Sequence, residues 1–155
     1  MVKYLIMQEI NFPSYPLKIR NLQQKLQIFD RLRKKFVALT PEEWVRQHLV
    51  WYLIEELKYP EGLIKLEYSF TVNNNQVRSD LVVFSRDGIP LLLAECKAPS
   101  VKIGNKTLIQ AGRYNIVTRT RLLLVTNGLL HICCKIDFET NKITFIKEIP
   151  GYQSL

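Results

Sequence analysis

SDLVVFSRDGIPLLLAECKAP, residues 79–99, decides how the rest of this chain is read. Two strongly apolar runs, LVVF and LLLA, flank Arg86-Asp87-Gly88. Asp-Gly between β-rich runs is a strong hairpin signal, because both residues tolerate the positive φ of a tight turn. A turn centred on Asp87 and Gly88 makes antiparallel partners sum to 175, so Val83 faces Leu92 and Asp80 faces Glu95. The two carboxylates then lie opposite each other, with β-carbons roughly 5 Å apart. Lys97, two residues past Glu95, points to the same face. The register is conditional, since a turn with an odd number of residues would put the two acids out of step. Both runs are apolar on both faces, so these strands are expected at the centre of a sheet covered twice.

Upstream, Thr40-Pro41-Glu42-Glu43 starts a helix, with Thr40 as N-cap, Pro41 at the first helical position and Glu43 completing a capping box. The helix is expected to run to about Lys58, with Val45, Leu49, Leu53 and Leu57 as its buried stripe and Trp44, Val50 and Ile54 widening it. Tyr59-Pro60-Glu61-Gly62 ends it. His48 has no second histidine or cysteine at ligand spacing and reads as a packed side chain. An alternating strand follows from Leu63 to Val72, and Asn73-Asn74-Asn75 turns the chain into the hairpin.

Downstream, residues 100–106 form a polar loop and Thr107–Thr118 a helix. Asn127-Gly128 is a second hairpin signal, between Arg121–Thr126 and Leu129–Ile136, and Lys142–Ile146 is a last short strand. The order helix, three strands, helix, strand gives an α/β fold, a mixed β-sheet flanked by helices. The region 17–37 fits a helical stripe through Ile19, Leu22, Leu26 and Phe29, and equally two short strands around a polar turn. Residues 1–16 read as an arm without regular structure. The whole chain, 1–155, reads as one domain, with 1–37 as an N-terminal extension packed on the core.

The composition, 47% hydrophobic and 23% charged, is that of a globular protein. The net charge of +8 serves solubility or gathers a polyanionic partner through its phosphates. Arg31, Arg33, Lys34 and Lys35 cluster, and Lys102 and Lys106 sit beside the second helix. Cys96, Cys133 and Cys134 show no C-x-x-C spacing and read as reduced, small apolar residues of a cytoplasmic protein. The N-terminal apolar patch is broken by Gln8 and Glu9 and does not read as a signal peptide. No run is long enough to span a membrane.

Asp80, Glu95 and Lys97 carry the chemistry. Opposed carboxylates repel unless a cation sits between them. Mg²⁺ prefers one or two carboxylates and keeps its other positions for water and phosphate, and Mn²⁺ is an alternative. The carbonyl of Cys96 is a further hard ligand, and Lys97 can hold the attacking water or a phosphate oxygen. An E-x-K triplet alone is weak, arising by chance about once in a few hundred residues. The acid at the matching cross-strand position and the basic charge are what strengthen it.

With those residues placed, the chain resembles the PD-(D/E)-x-K nuclease superfamily. More closely, IFDRLRKKFVALTPEEWVRQHL, RSDLVVF, LLLAECKAP, QAGRYN and LLLVTNG resemble the N-terminal nuclease domain of type I restriction enzyme R subunits, in a short stand-alone bacterial form. The resemblance covers most of the chain and implies a restriction-endonuclease-like αβββαβ core. It makes Asp80 and Glu95 the metal ligands, Lys97 the catalytic lysine and Glu43 the helix acid beside the metal. It matches Gln110 and Tyr114 to a Q-x-x-x-Y element next to the site. Ser79 stands where the Pro of the name would be. There is no G-x-x-x-x-G-K-[ST] loop, since Gly104-Asn105-Lys106-Thr107 lacks the earlier glycine, so the chain alone drives no ATP-dependent restriction.

The resemblance implies a Mg²⁺-dependent endonuclease acting on DNA, with Arg31, Arg33, Lys34, Lys35, Lys102 and Lys106 as phosphate contacts. A homodimer would suit a double-strand cut. The rival from another class is a non-catalytic nucleic-acid-binding or assembly module that works through a separate motor or specificity subunit. An RNA nuclease on the same scaffold is a third reading.

Overall fold

The structure is a computed structural model that describes residues 7–155; residues 1–6 and the side chains of Val72, Tyr114 and Val117 lie outside the described part. Residues 7–16 form no regular element, and the part of the expected arm over 1–6 falls outside the described residues.

Strands β1 (Ile19–Leu22), β2 (Lys25–Asp30) and β3 (Lys35–Ala38) make a small antiparallel sheet. The ambiguity over residues 17–37 thus resolves as strands. Gln23 and Gln24 take left-handed backbone angles, φ 50° and 63°, and close a two-residue turn between Leu22 and Lys25. No right-handed helix passes through two such residues.

Helix α1 (Pro41–Glu55) opens a six-stranded sheet of β4 (Ile64–Val72), β5 (Asn75–Phe84), β6 (Pro90–Cys96), β7 (Leu122–Thr126), β8 (His131–Asp137) and β9 (Lys142–Ile146), in that spatial order. Helix α2 (Asn105–Thr118) is the crossover between β6 and β7, the parallel pair. Elements α1, β4, β5, β6, α2 and β7 follow the expected αβββαβ order. No helix among the described residues is long and apolar enough to cross a membrane.

Leu92 and Leu93 are both fully buried, on opposite faces of β6. Leu92 joins Leu81, Val83, Ala94 and Leu124 under the Val45, Leu49 and Leu53 stripe of α1. Leu93 joins Leu123, Val125 and Ala111 of α2. Burial of such a side chain contributes about 1.5–3 kcal/mol, so the doubly covered β6 anchors the fold. Adjacent Cys133 and Cys134 go to opposite cores, both as free thiols.

Helix α1 ends three residues earlier than the sequence suggested. Lys58 is left-handed, φ 60°, and the Tyr59 N–H donates to the Leu53 carbonyl, 2.9 Å, so the chain closes on itself before Pro60.

The central hairpin differs from expectation in a way that matters. Its turn holds three residues, Arg86–Gly88, not two: Ser85 N–H donates to Ile89 O at 2.7 Å, Gly88 N–H to Ser85 O at 3.0 Å, and Gly88 has φ 77°. That turn pairs Phe84 with Pro90 and would put the acids out of step. A bulge at Leu91 then restores the register, so that Val83 pairs with Leu92 and Leu81 with Ala94.

The Asn127-Gly128 hairpin also has a longer loop than expected, with Thr126 paired to His131 and β8 starting there rather than at Leu129. Gly128 has φ 83°, and an added Cβ would lie 3.0 Å from Ile10 Cγ2 and 3.1 Å from Val45 Cγ2. Gly128→Ala is therefore expected to cost about 1–3 kcal/mol through strain and crowding together. Thermal unfolding checks this, and an unchanged Tm would refute it.

Candidate metal site at the open end of the hairpin

The β5–β6 ladder is paired up to Leu81 and Ala94, and Asp80 and Glu95 follow immediately beyond it. Asp80 is held from two sides: the Cys96 N–H donates to Oδ2 at 2.7 Å and Arg46 Nη2 to Oδ1 at 3.1 Å. Glu95 pairs with Val125 of β7 and is 8% exposed. Its Oε1 is buried without a hydrogen-bond partner. Burial first, and the neighbouring Asp80 charge second, raise the Glu95 carboxyl well above the usual carboxylate range. Lys97 follows, its N–H donating to Thr126 O at 2.8 Å and its charge acting on Glu95 and Glu42.

Two acidic side chains meet here. Among the described residues no group of three His, Cys, Asp or Glu side chains is arranged to hold a metal ion. The fit to a hard cation rests on the orphaned, buried Oε1 of Glu95 and on its repulsion with Asp80, both of which a cation would relieve. With the Cys96 carbonyl, the donors are all oxygens, as Mg²⁺ or Mn²⁺ prefers.

Helix α1 supplies the acidic wall in an unexpected way. Thr40 caps the helix, accepting from Glu43 N–H at 3.0 Å, but the Glu43 carboxylate does not close a capping box. It accepts from Arg46 Nη1 at 2.9 Å, Arg33 Nη2 at 3.2 Å and Gln47 Nε2 at 2.8 Å. Glu42, which sequence reasoning passed over, also lies close enough to Asp80 and Lys97 for their charges to act on it. Burial and Asp80 raise its carboxyl, while Arg46 and Lys97 oppose them.

Arg46 was missed as well. It is 5% exposed and contacts Glu42 (3.3 Å), Glu43 (2.9 Å), Glu67 (3.4 Å) and Asp80 (3.1 Å). Glu67 leaves regular strand geometry with φ 50°, and no ladder pair forms between it and Asp80. A non-glycine residue in that region is strained. The sequence signal that could have found this group is the Glu42/Glu43–Arg46 spacing, which puts acids and guanidinium on one helix face.

The basic residues divide. Arg31 pairs with Glu55 (2.6 Å) and Glu61 (3.2 Å) and covers the Trp51 ring, and Lys34 pairs with Glu61 at 2.9 Å. Arg33 pairs with Asp30, Glu43 and Glu67. These three are engaged within the protein, whereas Lys35, Lys102 and Lys106 are exposed. Gln110 lies on the exposed face of α2 beside Lys106, Ile109 and Arg113. Tyr114 follows one turn later, and its side chain lies outside the described residues. His48 packs between Phe12 and Trp44 with Nδ1–H on the Trp44 carbonyl, 2.8 Å, and burial lowers its pKa.

Comparison with curated proteins returns no match. Among solved structures, the chain is similar to a fragment described as an HsdR subunit of a type I restriction enzyme from Vibrio vulnificus YJ016. Identity is 21% and the TM-score 0.53, over 71% of this chain but only 23% of that one, a likeness of fold. Residues 41–150, from the first residue of α1 past β9, match the family described as type I restriction enzyme R protein N terminus. With most of its length matched and the same fold in a solved relative, the chain belongs to the type I restriction enzyme R protein N-terminus family.

Proposed function

We propose that this domain is a Mg²⁺-dependent endonuclease module that hydrolyses DNA phosphodiester bonds. Asp80, Glu95 and the Cys96 carbonyl would hold the metal. When bound, it would polarise the scissile phosphate and lower the pKa of a water. Lys97, two residues past Glu95 and just beyond the end of β6, would bring a positive charge to the attacking water or a phosphate oxygen. Glu42 and Lys97 offset each other's charge at the rim. DNA would be drawn in by the positive net charge, with Lys35, Lys102 and Lys106 free of ion pairs among the described residues.

The observation that carries this reading is Glu95 Oε1, buried and unpartnered beside a second carboxylate. Burial, the Asp80 charge and a hydrogen bond shared with Asp80 raise that carboxyl, while Lys97 and a Ser79 hydrogen bond act the other way. A divalent cation between the two acids would relieve the conflict. The test is calorimetric titration of Mn²⁺ into wild type and Asp80→Ala, alongside cleavage of plasmid DNA. Binding lost in the variant is expected. Absent binding, or equal binding by both proteins, would sink the metal site.

A second reading has its own support. Both Asp80 oxygens already accept hydrogen bonds. A DNA-binding or assembly module that keeps the fold without turnover accommodates that. Salt-dependent DNA binding with no metal-dependent cleavage, unchanged in Glu95→Ala, would favour it.

A further inference from the structure

Arg46 is the most unusual charge in the molecule. It is buried at 5% exposure, its Nε has no partner, and four carboxylates lie within salt-bridge distance of it. A guanidinium does not give up its proton in a protein. Its charge therefore remains whether or not anything else enters. Burying it is costly unless it is matched, and the acids around it supply the match. Conversely, without it Glu42, Glu43, Glu67 and Asp80 would repel one another.

The geometry points to Arg46 as a positioning residue, the resident counter-ion that fixes Asp80 and sets how much negative charge the Asp80–Glu95 pair offers to a divalent cation. This rests on the metal reading of that pair. Asp80 is gripped on Oδ1 by Arg46 and on Oδ2 by the Cys96 N–H, which together fix the carboxylate plane. Arg46 is in turn fixed by Glu43, and Glu43 by Gln47 and by Arg33 of the β2–β3 turn. The small N-terminal sheet is thus joined to Asp80 through two guanidiniums and one carboxylate.

The consequence is a signed expectation. A positive charge beside the pair opposes a second cation, so removing it must tighten divalent binding even as it loosens Asp80. A residue that merely packed would leave affinity unchanged or weaken it. Removing a carboxylate that neutralises Arg46 but does not touch the pair must act the other way. Glu67 is such a residue, contacting Arg46 at 3.4 Å and Arg33 at 2.8 Å.

The experiment is Mn²⁺ calorimetry on wild type, Arg46→Gln, Arg46→Lys and Glu67→Gln, each shown to be folded by a cooperative thermal transition. Arg46→Gln is expected to bind roughly tenfold tighter or more, and to gain more Tm from Mn²⁺ than wild type does. Arg46→Lys, which keeps the charge, should stay within about threefold of wild type. Glu67→Gln should bind a few-fold more weakly. Arg46→Gln that binds no tighter than wild type, or Glu67→Gln that binds no more weakly, overturns the counter-ion role. If Arg46→Gln does not fold, Glu67→Gln decides alone, and unchanged or tighter binding there overturns it. Wild type that binds no Mn²⁺ removes the metal reading and this role with it, a result distinct from wild-type binding with unresponsive variants.

Discussion

Glu95→Gln is expected to fold at least as stably as wild type and to lose DNA cleavage by more than about a thousandfold. The amide is close in shape to the carboxyl, and the Glu95 carboxyl already resists ionisation because of burial and Asp80. Replacing it removes a like-charge conflict, so Tm should hold or rise. The same change removes the ligand that the proposed metal needs. Lys97→Ala should separate the roles further. It should keep Mn²⁺ binding and lower cleavage by about 10²–10³-fold, the usual cost of one preorganised charge at a reacting oxygen. Plasmid cleavage with Mg²⁺, run beside thermal unfolding, measures both. Glu95→Gln that still cuts at the wild-type rate would end the catalytic assignment.

Asp30→Ala is expected to lower stability by about 3–5 kcal/mol, a Tm drop on the order of 10 °C for a domain of this size. The Asp30 side chain is fully buried. It accepts from Leu32 N–H at 2.8 Å and Arg33 N–H at 2.9 Å, and pairs with Arg33 Nε. Its removal leaves two backbone donors and part of a guanidinium without their acceptor, the costly side of hydrogen-bond exchange. The loss should extend beyond the turn, because Arg33 also holds Glu43 and Glu67. Denaturant unfolding measures it. A loss under about 1 kcal/mol would show that Arg33 finds full compensation in its other partners.

The parts of the fold that read from sequence were those with local causes. Thr40-Pro41 starts α1, Asp87-Gly88 and Asn127-Gly128 make hairpins, and LVVF and LLLA lie at the sheet centre because nothing polar interrupts them. What did not read was set by tertiary contact. Arg46 stands off the apolar stripe of α1 and looks like a surface charge until β4 and β5 arrive with Glu67 and Asp80. Glu43 satisfied a capping pattern, which hid its place among Arg33, Arg46 and Gln47 and left Glu42 unexamined. The ion pairs that Arg31, Arg33 and Lys34 make with Glu55, Glu61 and Glu67 did not read from sequence because those acids are 24 or more residues away, although Arg33 also pairs with the nearer Asp30 and Glu43. Residues 17–37 stayed undecided because strand and helix periods coincide over so few positions, and the deciding left-handed angles at Gln23 and Gln24 carry no glycine signal.

The three-residue turn at Arg86–Gly88 and the bulge at Leu91 cancel each other from Val83 inward. Together they make the hairpin tip a length buffer. A chain shortened by one residue at the tip could straighten the bulge and leave every pairing toward Asp80 and Glu95 as it is. A chain lengthened or shortened on the other side of Leu92 has no such slack and would carry one acid to the wrong face. Variation in length should therefore be harmless at one end of this hairpin and ruinous at the other, although the two ends belong to the same pair of strands.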